Sequence, residues 1–224
     1  MIRRVVIVLT ILSGCGPSAP LPQLQQARDL LQRSDATAAL DTLAGLNGSS
    51  DIHYLRGVAL LQLDKLDAAR GEFDTAFDES DEPRIRACRL RLQLFARNLS
   101  AAEKLIALEL DHPSDALVRL SCVYAYEALA VRLAAESRHE AAAAHRTRAA
   151  DALATALTLA SEIREFHPEL LDFAVEYDQA AAALRLVRLI RKRNPNNAVT
   201  VSYTHLRAHE TRHALVCRLL LEKK

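Results

Sequence analysis

Three histidines, His205, His209 and His213, recur every four residues, a spacing that aligns side chains on one helical face and could hold a divalent cation. The other histidines, His53, His112, His139, His145 and His167, are scattered, with no Cys or carboxylate at ligand spacing beside them. No nucleophile elbow, phosphate loop, dinucleotide fingerprint or zinc motif is present. Ser and His occur, but no spacing joins them into a triad. One further cluster is cationic: Arg185, Arg188, Arg191, Lys192 and Arg193 share a helix whose other face is Ala183, Leu186, Val187 and Ile190. Such a stripe is a solvated face, with its last cations at the helix C-terminus, or a contact for anionic headgroups or an acidic partner. The expectation from chemistry alone is a protein that is not an enzyme and takes no cofactor, metal or small-molecule substrate.

The elements that carry these residues read as helices. Half of the 224 residues are apolar, four per cent are aromatic and there is no Trp, a composition poor in the large rings that fill sheet cores. From His53 to Pro83, Leu66, Ala69, Phe73, Ala76 and Phe77 fall on one face of a helix of period 3.6. Leu55, Val58 and Ala59 do the same before it, and Lys65-Leu66-Asp67 makes the turn. Two such helices cannot bury their apolar faces alone, so the pair needs neighbours of its own kind.

Similar pairs follow along the chain. Helices are expected over 24–33 and 36–46, 84–98 and 99–111, 115–136 and 140–161, and 168–176 and 179–193. Ala39 and Leu43 match Ala69 and Phe73, and Ala101, Leu105 and Leu108 keep the phase. The two helices after Asp115 run to about 20 residues each, which departs from a strict repeat. Cys88 and Cys122 lie one repeat length apart. Equivalent positions in stacked helices stand roughly 8–10 Å apart, beyond the 7 Å limit for a disulfide, so the two thiols read as small buried residues.

The order Tyr54, Gly57, Ala69, Phe73, Ala76, Pro83 resembles the tetratricopeptide repeat. That likeness implies an all-α, TPR-like α-α superhelix of helical hairpins over 24–200, and a scaffold that binds proteins or peptides in its concave groove. The family's groove positions fall on Tyr54, Gln62, Arg86, Gln93, Tyr124 and Glu127. Asn194-Pro195-Asn196-Asn197 resembles the opening of a further repeat, which implies that the repeat domain continues past the natural residues present here.

The two ends resemble other things. Arg3 and Arg4 precede an apolar run from Val5 to Leu12, far short of the roughly 20 residues of a membrane span, so 1–14 reads as a signal segment. Leu12-Ser13-Gly14-Cys15 resembles a bacterial lipobox. That implies lipidation of Cys15, a Pro-rich tether over 15–23 and, with Gly16 in place of Asp, an outer-membrane lipoprotein facing the periplasm. Residues 201–224 resemble a translated sequencing adapter and would be no part of the natural protein, the three spaced histidines included. Without 1–14 and 201–224 the charge changes from +1 to −4, which gives no sign of a nucleic-acid partner. The sequons at Asn47 and Asn98 are formal matches only in a bacterial envelope protein.

The resulting expectation is a membrane-anchored interaction scaffold of the bacterial envelope, serving assembly or secretion, with an envelope protein or peptide as partner. The alternative is an accessory structural lipoprotein that supports a peptidoglycan-remodelling enzyme.

Overall fold

A computed structural model describes residues 22–46 and 48–193. The signal segment, Cys15, most of the tether, Asn47, the 194–200 phrase and the whole tail with its three histidines lie outside the described residues. Among the described residues the fold is all-helical, without strands. It comprises α1 (Pro22–Gln32), α2 (Ala36–Leu43), α3 (Ser50–Gln62), α4 (Leu66–Glu79), α5 (Pro83–Phe95), α6 (Ser100–Asp111), α7 (Ala116–Ala135), α8 (His139–Thr158), α9 (His167–Glu176) and α10 (Ala180–Arg193). Two short 3-10 turns, Ala160–Glu162 and Arg164–Phe166, link α8 to α9. Each helix packs on the next, and the pair α7 and α8, each 20 residues long, is the most extensive.

Every odd-to-even connection is built the same way. Ser34, Asp64, Arg97, Ser137 and Asp178 stand in the left-handed region, with φ between 52° and 62°. In each turn the following residue's N–H reaches the carbonyl five positions back: Asp35 to Leu30, Lys65 to Leu60, Asn98 to Gln93, Arg138 to Leu133 and Gln179 to Ala174, at 2.8–3.0 Å. This is a Schellman closure, which satisfies carbonyls that a helix end would otherwise orphan. None of the five left-handed residues is Gly, so each accepts a backbone conformation that costs L-residues about 1–2 kcal/mol.

The fifth residue after each left-handed position is an alanine: Ala39, Ala69, Ala102, Ala142 and Ala183, all buried. Alanine keeps the buried side of each second helix small at this position. In the third pair Ala101, Leu105 and Leu108 are buried as their phase predicts, with Ala102 buried beside them, and the second pair turns at 63–65, just before Leu66 and not on it. α1 likewise starts at Pro22, inside the segment expected to be tether; proline suits a first helical turn because its missing N–H has no partner there in any case.

Gly57 of α3 shows how tight one crossing is. A Cβ built on it would stand 2.7 Å from the Phe73 ring of α4, so glycine is what lets that ring approach the backbone. One continuous apolar core runs from Leu24 to Ile190, with a small satellite of Ala130, Leu133 and Ala142. No helix among the described residues is long and apolar enough to cross a membrane.

Candidate functional site

The odd-numbered helices α1, α3, α5 and α7 share contacts with the segment that leaves α8. The 3-10 turn Arg164–Phe166 packs on α1, and α9 starts directly after it. Arg164 pairs with Asp29 at 3.1 Å. His167 is fully buried; its Nε2 donates to the Ala160 carbonyl at 2.6 Å and its Nδ1 accepts from the Gln32 amide at 2.9 Å. Ala160, Ile163 and Phe166 are buried beside them. The chain therefore lays residues 160–169 across the side of the stack where an open groove is expected.

This changes the standing of Tyr54. Its side chain is 0 % exposed and its hydroxyl donates to the Glu165 carboxylate at 3.0 Å. Burial, and then Glu165, push its phenol well above the usual range. The expectation that Tyr54 lines an accessible groove is corrected: the returning segment covers it. Gln62 holds the same segment from about two turns further on, donating to the Glu165 carbonyl at 3.0 Å and to the Leu31 carbonyl at 3.3 Å.

Beside this seal a half-open cleft remains, with a volume of about 360 Å³. Gln62 and Tyr124 both line it, together with Arg91, Phe95, Phe166 and Glu169. Arg91 is 1 % exposed, and its Nη2 donates to Glu169 at 3.0 Å. Its guanidinium carbon stands 4.8 Å from the Tyr124 ring centre, 5.3 Å from Phe166 and 5.8 Å from Phe95. The Nε and Nη1 of Arg91 meet no hydrogen-bond acceptor among the described residues; the negative ring faces take that place. Burial works against its charge, but Glu169, Tyr124 and Cys88 outweigh it and hold the pKa above the ordinary value, so the group stays cationic.

The Tyr124 ring meets Phe95 and Phe173 edge-on, at 5.2 and 4.9 Å. Phe95 is 37 % exposed and makes the outer wall. A smaller cavity of about 260 Å³ continues past Gln62 and Phe166 toward Glu165, Glu169 and Asp172. Burial raises the Asp172 carboxyl above its usual range.

Three of the expected groove residues are placed elsewhere. Arg86 turns to Asp81 in the loop before its own helix, with Nε to Oδ1 at 2.9 Å. Gln93 is half-buried and outside the cleft lining. Glu127 accepts a hydrogen bond from the hydroxyl of Tyr177, the residue just after α9. Arg91 and the 165–169 segment are absent from the sequence-based set. An arginine between Leu90 and Leu92 is a signal in hindsight, since that placement puts a cation among apolar neighbours.

Cys88 and Cys122 are reduced and buried. Burial pushes the Cys88 thiol up to about 12, and the Cys122 thiol donates to the Leu105 carbonyl at 3.2 Å. Among the described residues no three His, Cys, Asp or Glu side chains gather as a metal site. Compared with protein-family models, curated proteins and solved structures, the chain matches none.

Proposed function

We propose that this chain is a non-catalytic interaction scaffold of the bacterial envelope, a TPR-like stack tethered through a lipidated Cys15 to the periplasmic side of the outer membrane. The repeat reading rests on five identical left-handed turns, each followed at the fifth residue by a buried alanine. The tether reading rests on the apolar run and Leu12-Ser13-Gly14-Cys15. A single observation carries the binding reading: a half-open, ring-lined cleft of about 360 Å³ beside a buried cation. Aromatic walls with one buried polar anchor are the usual make-up of a pocket that takes a partner's side chain.

The partner is an envelope protein or peptide that inserts one bulky side chain against Phe95 and Tyr124. It meets the cleft and not Tyr54, because residues 160–169 cover that ring. Site-specific photocrosslinking tests this. A crosslinker at Phe95 should capture a discrete partner, and one at Leu110, 78 % exposed on α6, should not. Equal capture at both positions, or none at Phe95, would sink the cleft as the binding site. Anchoring is tested separately, since Cys15→Ala should release the protein from the membrane fraction.

A further inference from the structure

Ion pairs hold many of the cations of this fold, and those without one among the described residues on other helices, such as Arg70, Lys104, Arg146 and Arg148, share their helix with acidic residues. On α5, Arg84, Arg86, Arg89 and Arg91 each meet a carboxylate, and Arg28, Arg119 and Arg164 do so elsewhere. The last helix differs in carrying several cations and no acid. Arg185, Arg188, Arg191 and Lys192 are all exposed, and none has a carboxylate within ion-pair distance among the described residues. α10 itself contains no acidic residue.

Its apolar face is already spent. Ala183, Leu186, Val187 and Ile190 are buried in the core, so the helix cannot turn over to insert into a bilayer or a groove. Leu184, 37 % exposed, lies next to Arg185. The helix macrodipole accounts for part of the charge only: it favours cations within the last turn, where Arg191 and Lys192 sit, and offers nothing to Arg185 and Arg188 further in. Neither cavity is lined by α10. Among the described residues the stripe is therefore an unneutralised cationic ridge without a pocket, a shape that suits a flat anionic surface.

We propose that the solvent face of α10 is a second membrane contact, docking on anionic phospholipid headgroups through Arg185, Arg188, Arg191 and Lys192. Lipid is the occupant because a chain attached at Cys15 keeps a bilayer as its nearest anionic surface; in that one respect the inference rests on the tether reading. The contact is peripheral and electrostatic. It orients the stack against the membrane without burying apolar surface.

Vesicle co-sedimentation tests it on the full chain carrying Cys15→Ser, so that no attached lipid contributes and failure of the tether reading leaves the result intact. The N-terminal apolar run is common to all variants, and neutral phosphatidylcholine vesicles measure its share. Vesicles that also contain phosphatidylglycerol should bind more chain at low ionic strength. That excess should vanish in about 1 M salt, where the Debye length falls to about 3 Å.

Replacing all four cations by Gln should lower partitioning on the order of a hundredfold, since each cation near an anionic surface contributes several-fold. The pair Arg185→Gln, Arg188→Gln should lower it about tenfold and serves if the fourfold variant loses helical content. Arg70→Gln with Lys104→Gln, two exposed cations on other helices, should change little. No preference for anionic vesicles overturns the proposal. An equal loss in the Arg70, Lys104 control does so too, because net charge and not this face would then be responsible. Binding to polyglutamate but not to vesicles overturns it in favour of an acidic protein partner.

Discussion

The Tyr54 hydroxyl on α3 donates to the Glu165 carboxylate at 3.0 Å, joining residues 111 positions apart in the chain. Both groups are buried, at 0 % and 3 % exposure. The bond fastens the connection after α8 onto the helices formed much earlier in the sequence. It converts an expected binding tyrosine into a clasp.

Tyr54→Phe removes the donor and keeps the ring in contact with Phe73, 6.2 Å away between centroids. A buried acceptor deprived of its partner costs about 1–3 kcal/mol. Urea denaturation should show that loss, and hydrogen exchange should speed up in residues 160–167 before it does in α5 or α6. A uniform change across all helices would mean that the bond supports global stability and not the clasp.

Arg97 bears left-handed strain that Asp64 and Asp178 accept more easily, because a short polar Asp side chain can hydrogen-bond locally. It is exposed and makes no ion pair among the described residues. Arg97→Gly should stabilise the fold by roughly 0.5–1 kcal/mol, the relief of left-handed strain less the entropy glycine gains when unfolded. Thermal melting would register the rise, and a fall would show that the side chain has an unsuspected role.

Arg91 and Glu169 form a pair with one member 1 % exposed and the other 22 %. Arg91→Met leaves Glu169 facing three rings without a counter-charge, at a cost of about 3 kcal/mol; the residual exposure of Glu169 keeps the figure at the low end for a broken buried pair. Adding Glu169→Gln should recover most of that loss. A double-mutant cycle in chemical denaturation measures the coupling directly.

Cys88 should resist thiol reagents. The attacking species is the thiolate, and burial raises the Cys88 pKa to about 12. Raising pH from 7 to 9 converts a free thiol of pKa about 8.5 largely to thiolate, but leaves Cys88 protonated and enclosed. In a chain with Cys15 and Cys217 changed to Ser, Ellman's reagent should give no native-state signal at either pH and two thiols after unfolding. Native labelling that grows with pH would contradict the packing at α5.

The helices were legible because their apolar periodicity is strong, as at Ala69, Phe73 and Ala76. The Gly57 and Phe73 contact was legible for a related reason: a glycine inside a helical pattern is costly enough to point to close packing. The turns were seen as breaks, but their common geometry was hidden because Ser34, Asp64, Arg97, Ser137 and Asp178 share a backbone angle and no residue type. In the third pair the apolar pattern correctly marks Ala101, Leu105 and Leu108 as buried, and Ala102, at the common distance from its turn, is buried beside them. Tyr54 and Gln62 were placed by likeness on the proper side of α3. What covers them was not legible, since the contact from Glu165 depends on where two 20-residue helices deliver the chain.

Helical stacks in which each unit touches only its neighbours tend to unfold piecemeal from the ends. The links from Asp29 and Gln32 to Arg164 and His167 remove that freedom at the start of this chain. During synthesis, α1 and α2 emerge more than 120 residues before their clasp, and the closure entropy of so long a loop must be met before those contacts form. The N-terminal pair therefore completes its packing late, and once clasped it shares the cooperativity of the whole stack instead of fraying alone.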